Sequence, residues 1–178
     1  MTSRPVVIGV GNPSRRDDGI GWAVATAAGR RLGQVVDVCW CDGEPGRLLD
    51  AWADADLAVV IDATYGAAEP GAIQLLSPSA AEGARSAARL GTHALGVGQA
   101  AALGRALGRL PRWLVIVGIE GHDHRFGDTL SGPVAAAVEP AADLVARLVL
   151  GVSQPHGGAD CESGVRGPRP PPARSERS

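Results

Sequence analysis

Two neighbouring aspartates, Asp17 and Asp18, lie inside the stretch VVIGVGNPSRRDDGIG that runs from Val6 to Gly21. A third, Asp62, closes the apolar run LAVVI, and His93 opens the segment HALGVGQAAAL. Carboxylates and an imidazole are the donors that a borderline divalent cation such as nickel or zinc accepts, with coordination positions left open. The same pair of carboxylates, Asp18 and Asp62, with one of them protonated, also suits acid–base hydrolysis. Each residue alone has a purely structural reading. Acidic side chains favour a helix N-terminus, Asp62 caps a turn, and His93 bonds locally at a helix start. Gathered at one sheet edge, the three favour function.

The strand-like run ending in Gly9-Val10-Gly11 also invites comparison with a dinucleotide-binding turn. That fingerprint needs a third glycine and an immediate helix, so that bare amides meet pyrophosphate. Here Ser14 holds the third position, Pro13 removes an amide, and Asp17 and Asp18 stand where the phosphate would go. Asp37 or Asp42 would be the ribose acid, a weak signal by itself. Nucleotide binding is therefore disfavoured. Cys39 and Cys41 form a Cys-x-Cys pair, read as a metal pair or, in preference, as two small buried thiols. Gly121-His122-Asp123-His124 is a second metal candidate, with a solvated loop as the preferred reading. No serine or cysteine nucleophile stands out.

The elements that must position these residues follow from periodicity. Short β-branched runs at 5–10, 34–40, 57–61 and 113–119 read as strands, most of them buried on both faces. Helical spacing marks 17–32, 45–52, 93–110 and 133–150. Leu103, Leu107 and Leu110 form one stripe in the third of these, and Val134, Val138, Ala141, Val145 and Leu148 form another in the last. A fourth strand at 72–76 follows the third after only about ten residues, too few for a crossover helix, so it should run antiparallel. Strands alternating with helices predict a mostly parallel sheet between helical layers. Residues 1–152 are read as one α/β domain. Residues 153–178, rich in Pro, Arg, Gly and Ser, are read as a disordered tail, solvated in preference to acting as an interaction arm.

Bulk properties exclude several classes. The net charge of −2 offers no basic surplus for nucleic acid. The apolar runs are too short to span a bilayer. The first residues lack the shape of a signal peptide, and the odd cysteine count (Cys39, Cys41 and Cys161) argues against a disulfide framework, so a cytoplasmic location is expected. Aromatic residues are only 3% of the chain, so the core must be built from small aliphatic side chains.

VVIGVGNPSRRDDGIGWAVA resembles the opening signature of the hydrogenase maturation proteases. That signature is a strand, Gly-x-Gly-Asn, a short loop, then Asp-Asp/Glu-Gly-x-Gly. VVIDAT around Asp62, THALGVGQAAAL around His93, and VIVGIEGHDHRFGDTLSGPVAAAV are similar to the family's later segments, in the right order across roughly residues 4 to 150. The resemblance implies a three-layer α/β/α sandwich with a twisted five-stranded sheet, one edge strand antiparallel. It implies an endopeptidase that removes a C-terminal peptide from the nickel–iron hydrogenase large-subunit precursor once nickel is inserted. It maps the family's metal contacts onto Asp18, Asp62 and His93, with the nickel that of the substrate precursor and no organic cofactor. Asp17 would support the loop or helix start.

Gly11, Asn12, Gly43 and Glu44 are candidates for the loops that face the substrate. The segment Cys41-Asp42-Gly43-Glu44-Pro45-Gly46 departs from the family's usual Gly-Gly or Gly-Thr loop, which leaves the preferred substrate open. Two other readings stand beside the protease: a non-catalytic metal-dependent checkpoint or chaperone in hydrogenase assembly, and a peptidase of the same fold with another protein substrate.

Overall fold

A computed structural model describes residues 4–66, 68–76, 78 and 92–153, the side chains of 92–95 and 153 excepted. The expected tail therefore lies outside the described residues, apart from the backbone of Ser153. Strand β1 (Val6–Val10) leads through a 3-10 turn (Arg16–Gly19) into helix α1 (Ile20–Leu32). Strand β2 (Asp37–Cys41), helix α2 (Pro45–Ala51), strand β3 (Leu57–Thr64) and strand β4 (Ile73–Leu76) follow. Helix α3 (Thr92–Leu107), strand β5 (Trp113–Glu120) and helix α4 (Gly132–Ser153) complete the elements of the described residues.

The five strands form one sheet in the order β2-β1-β3-β5-β4. All pairs are parallel except β4 with β5, which places the single antiparallel strand at an edge as expected. The alternation of side chains along a strand divides the core in two. Val7, Val59, Ile61, Val117 and Ile119 face α1 and α4. Ile8, Val10, Ala58, Val60 and Ile116 face α2 and α3. The result is the expected α/β/α layering around a sheet of Val, Ile, Leu and Ala.

Several boundaries move, each for a local reason. Helix α1 starts at Ile20 and not at Asp17, because the two aspartates belong to the 3-10 turn. Strand β2 starts at Asp37 and not at Gln34, because Gly33 at φ 59 ends α1 and a second 3-10 turn fills Gly33–Val35. Helix α3 stops at Leu107, where Gly108 at φ 65 takes the left-handed conformation that ends helices. Strand β3 does not end at Asp62. Its last pair with β1 is Gly9 with Ile61, but β5 continues beside it through Thr64 and Glu120.

The leucine stripe of α3 is also corrected. Leu103 and Leu107 are exposed, while Val97, Ala100, Ala101 and Gly104 are buried. A methyl group at Gly104 would come within 3.1 Å of Leu49 and 3.0 Å of Leu110, so the small face is what lets α2 approach. In α4 the buried set is Val134, Ala137, Ala141, Ala142, Val145 and Val149, with Val138 and Leu148 partly covered. Among the described residues no helix is long and apolar enough to cross a membrane.

Candidate active site

The site forms at the carboxyl edge of the sheet, where parallel strands open toward their loops. Gly11 turns the chain out of β1 at φ +123 and donates its amide to the Cys41 carbonyl at 3.1 Å. An added methyl at Gly11 would lie 1.9 Å from the Asp18 carbonyl, so only glycine lets the turn close. The 3-10 turn folds back over this point. The Asn12 amide donates to Asp18 Oδ2 at 2.9 Å, and the Asp18 amide donates to the Arg15 carbonyl at 3.0 Å. Trp22, in the first turn of α1, closes the loop with an indole bond to the Gly11 carbonyl at 3.1 Å.

Asp62 lies in β3 just beyond its last pair with β1, where the sheet edge begins to open. Counting from Ala58 and Val60, it belongs to the face covered by α2 and α3. Both Asp18 and Asp62 are buried, at 6% and 2% exposure. They sit at the same edge of two adjacent strands, β1 and β3. His93 belongs to the first turn of α3; its side chain lies outside the described residues. One turn further along, Gly96 is pressed against the Gly43 carbonyl, where an added methyl would come within 1.8 Å. The start of α3 therefore abuts the β2–α2 loop at that edge. Among the described residues no three His, Cys, Asp or Glu side chains form a metal-holding group, and His122 and His124 are exposed.

Asp17 has a different occupation from its neighbour. It is fully buried and accepts four hydrogen bonds from the β5–α4 loop. Oδ2 takes the amides of His122 (3.0 Å) and Asp123 (2.8 Å) and the Ser131 hydroxyl (2.9 Å), and Oδ1 takes the Ser131 amide (2.6 Å). Burial pushes its pKa up, but these bonds outweigh burial and hold it below the usual carboxylate value. The two loops are zipped by backbone as well: Arg16 N to Gly127 O, Gly127 N to Ser14 O, and Asp17 N to Asp123 O. Arg16, at φ 43, adds an ion pair to Asp123 at 3.2 Å. Asp123 is held well below the usual range, first by the Arg125 guanidinium.

Of the loop candidates, Gly11 and Asn12 shape the Asp18 turn, and Gly43 braces α3. Glu44 is spent on α2: its carboxylate caps the helix by accepting from the amides of Gly46 (3.0 Å) and Arg47 (2.9 Å). Burial raises both thiols, Cys39 to about 11, with Cys41 and Asp37 adding to it. Neither is a ready thiolate.

Two residues were not singled out in the sequence. Glu120 is buried at the end of β5 and accepts from the Thr64 hydroxyl at 2.8 Å and from the Gly66 amide. It ends an apolar run as Asp62 does, which was the available signal. Tyr65, the single tyrosine, lies between those two contacts. Its hydroxyl is buried with no hydrogen-bond partner among the described residues. Its pKa is pushed above the ordinary value, first by burial and then by Asp18, Asp17, Asp62 and Asp123. Its ring is packed where Gly121 lacks a side chain, and an added methyl there would be 2.7 Å away.

The family model for hydrogenase maturation protease matches residues 43–148, more than half of the chain. The chain belongs to the hydrogenase maturation protease family. It is accordingly an endopeptidase of hydrogenase maturation. The protease is 27% identical over 150 residues to the hydrogenase expression/formation protein HupD of Bradyrhizobium diazoefficiens, covering 83% of this chain and 78% of that one. To HoxM of Azotobacter vinelandii it is 29% identical over 140 residues, covering 76% and 67%. Among solved structures it superposes on the hydrogenase maturating endopeptidase HybD of E. coli with a TM-score of 0.71 at 25% identity, covering 84% of this chain and 94% of that one. The [NiFe] hydrogenase maturation protease HybD of Thermococcus kodakarensis gives 0.65 at 26%, covering 82% and 99%.

Proposed function

We propose that the protease removes the C-terminal extension of a nickel–iron hydrogenase large-subunit precursor after nickel has entered it. The observation that carries this reading is the pair of buried carboxylates, Asp18 and Asp62, at one carboxyl edge of adjacent strands. Carboxylates gathered at the open carboxyl end of a parallel sheet stand where ligands of such sheets bind. In this reading Asp18, Asp62 and His93 bid for open positions on the nickel of the substrate. A subunit without nickel offers them nothing to hold, so metal content becomes the maturity check. The bound metal polarises the scissile carbonyl toward water. The cysteines take no part, since burial keeps both thiols protonated. The zipped loops hold the turn that carries Asp18, and the Asn12 amide donates to its Oδ2.

The test is incubation of purified precursor, with and without nickel, followed by the mass of the product. Nickel-loaded precursor should lose its extension, and nickel-free precursor and casein should stay intact. Asp18→Asn and Asp62→Asn should each lower processing at least about 100-fold, the scale of one lost charge-stabilising group at a reacting centre, with the circular dichroism spectrum unchanged. Near wild-type processing by both variants would move the site elsewhere. Binding of the precursor without cleavage would make the chain an assembly checkpoint.

A further inference from the structure

The chain has four Trp, one Tyr and one Phe. Trp52 is buried in the core and Trp113 opens β5 at the opposite edge. The other four, Trp22, Trp40, Tyr65 and Phe126, all lie at the carboxyl edge. Trp40 is 47% exposed at the end of β2 and packs on Trp22, with ring centroids 5.9 Å apart. Phe126 is 79% exposed on the β5–α4 loop, and the Arg15 guanidinium sits 4.8 Å from its ring centroid. A chain so short of aromatics that leaves its single phenylalanine almost bare loses the burial that residue offers. Nor is this a loose loop tip. The backbone pairs between Ser14 or Arg16 and Gly127 hold Arg15 and Phe126 on a fixed platform.

We infer that the two aromatic pairs flanking the Asp18 turn, Trp22 with Trp40 and Arg15 with Phe126, form the docking rim for the folded body of the precursor protein. The inference rests on the proteolytic reading above and names the surface that its partner meets. Trp22 bonds to the Gly11 carbonyl and the Arg15 carbonyl accepts from the Asp18 amide, so both pairs border the turn that holds Asp18, and a protein whose peptide reaches that turn comes to rest beside them. Exposed, preorganised aromatics beside arginine are the composition of interface anchors, and they lose little conformational entropy when covered. The occupant is a protein surface with an apolar socket for Phe126. The rim selects the substrate, and the carboxylates act on it.

The experiment measures binding and cleavage of the nickel-loaded precursor by the full chain and its variants. Phe126→Ala should raise KM and Kd about tenfold or more, the size of an anchor loss, with kcat at saturation and Tm unchanged. Phe126→Trp should restore binding. Trp40→Ala should act the same way, and Trp40→Ser, polar at this half-exposed position, serves if the alanine variant melts early. Asp18→Asn should fail to cleave, and its remaining binding of the precursor should still weaken about tenfold when Phe126→Ala is added. If Phe126→Ala and Trp40→Ser both bind and cleave as wild type while wild type processes the precursor, the rim is wrong and the protease stands. If wild type neither binds nor cleaves, the proteolytic reading falls and the rim with it. Tight binding that depends on Phe126 without any cleavage would uphold the rim and overturn the protease.

Discussion

Replacing Asp17 with alanine isolates the stitch between the two loops of the site. The change leaves three backbone amides, of His122, Asp123 and Ser131, and the Ser131 hydroxyl without their acceptor. A buried donor left unpaired costs about 1–3 kcal/mol. The loop lies at the surface, with His122 exposed and Asp123 and Ser131 partly so, and water recovers part of that. The net loss should be about 3–4 kcal/mol, near the upper end for single substitutions. At roughly 2–4 °C per kcal/mol for a domain of this size, Tm should fall by roughly 6–16 °C. Asp17→Asn should cost less. An amide oxygen in the Oδ2 position still accepts three of the four bonds, and only the Ser131 amide then faces an NH2 group.

Charge adds a pH signature. The folded pKa of Asp17 lies below its ordinary value of 3.8. The contribution is therefore fully present above the ordinary carboxylate range, and it is lost as pH falls through that value toward the depressed folded one. Thermal melts followed by circular dichroism from pH 7 down to about pH 3 should show wild type losing stability at the acid end. Asp17→Asn, with nothing to protonate, should show a shallower loss. An alanine variant melting within about 2 °C of wild type, less than 1 kcal/mol on this scale, would refute the stitch.

The remaining expectations are quickly stated. Gly11→Ala must place a methyl 1.9 Å from the Asp18 carbonyl at a φ of +123, so it should remove processing and cost well over the about 1–2 kcal/mol of left-handed strain alone. Gly33→Ala, at φ 59 and ψ −132 with open space around it, is the control: it meets no neighbour, so it should cost backbone strain alone and less than Gly11→Ala in a urea melt. Tyr65→Phe deletes a buried hydroxyl that has no partner among the described residues, so Tm should hold or rise, by up to about 1 kcal/mol of stability. A clear drop in Tm would mean that the hydroxyl is hydrogen-bonded in solution.

What was legible in the sequence was local. The β-α alternation and the short link before β4 were enough for the layers and the antiparallel edge, because both depend on segment length and periodicity. Asp18 and Asp62 were legible because a carboxylate that ends or follows a buried run is conspicuous on one line of text. What escaped depends on contacts between distant segments. The run of β3 past Asp62 is decided by β5, more than fifty residues later, which keeps pairing after β1 has ended. The periodicity of α3 picked its leucines, but α2 needed a small surface to approach, so Val97, Ala100 and Gly104 went inward and Leu103 and Leu107 outward. Asp17 looked like a helix-start acid, and its burial is intelligible only once His122, Asp123 and Ser131 arrive to donate to it. Two adjacent aspartates thus have opposite environments. Asp17 is saturated by amides from another loop, and its charge is spent on structure. Asp18 receives the nearby Asn12 amide on Oδ2, within its own loop, and glycine at position 11 lets the backbone close beneath it. The division of labour between them is set by the β5–α4 loop, so changes in that loop should alter the placement of Asp18 without touching it.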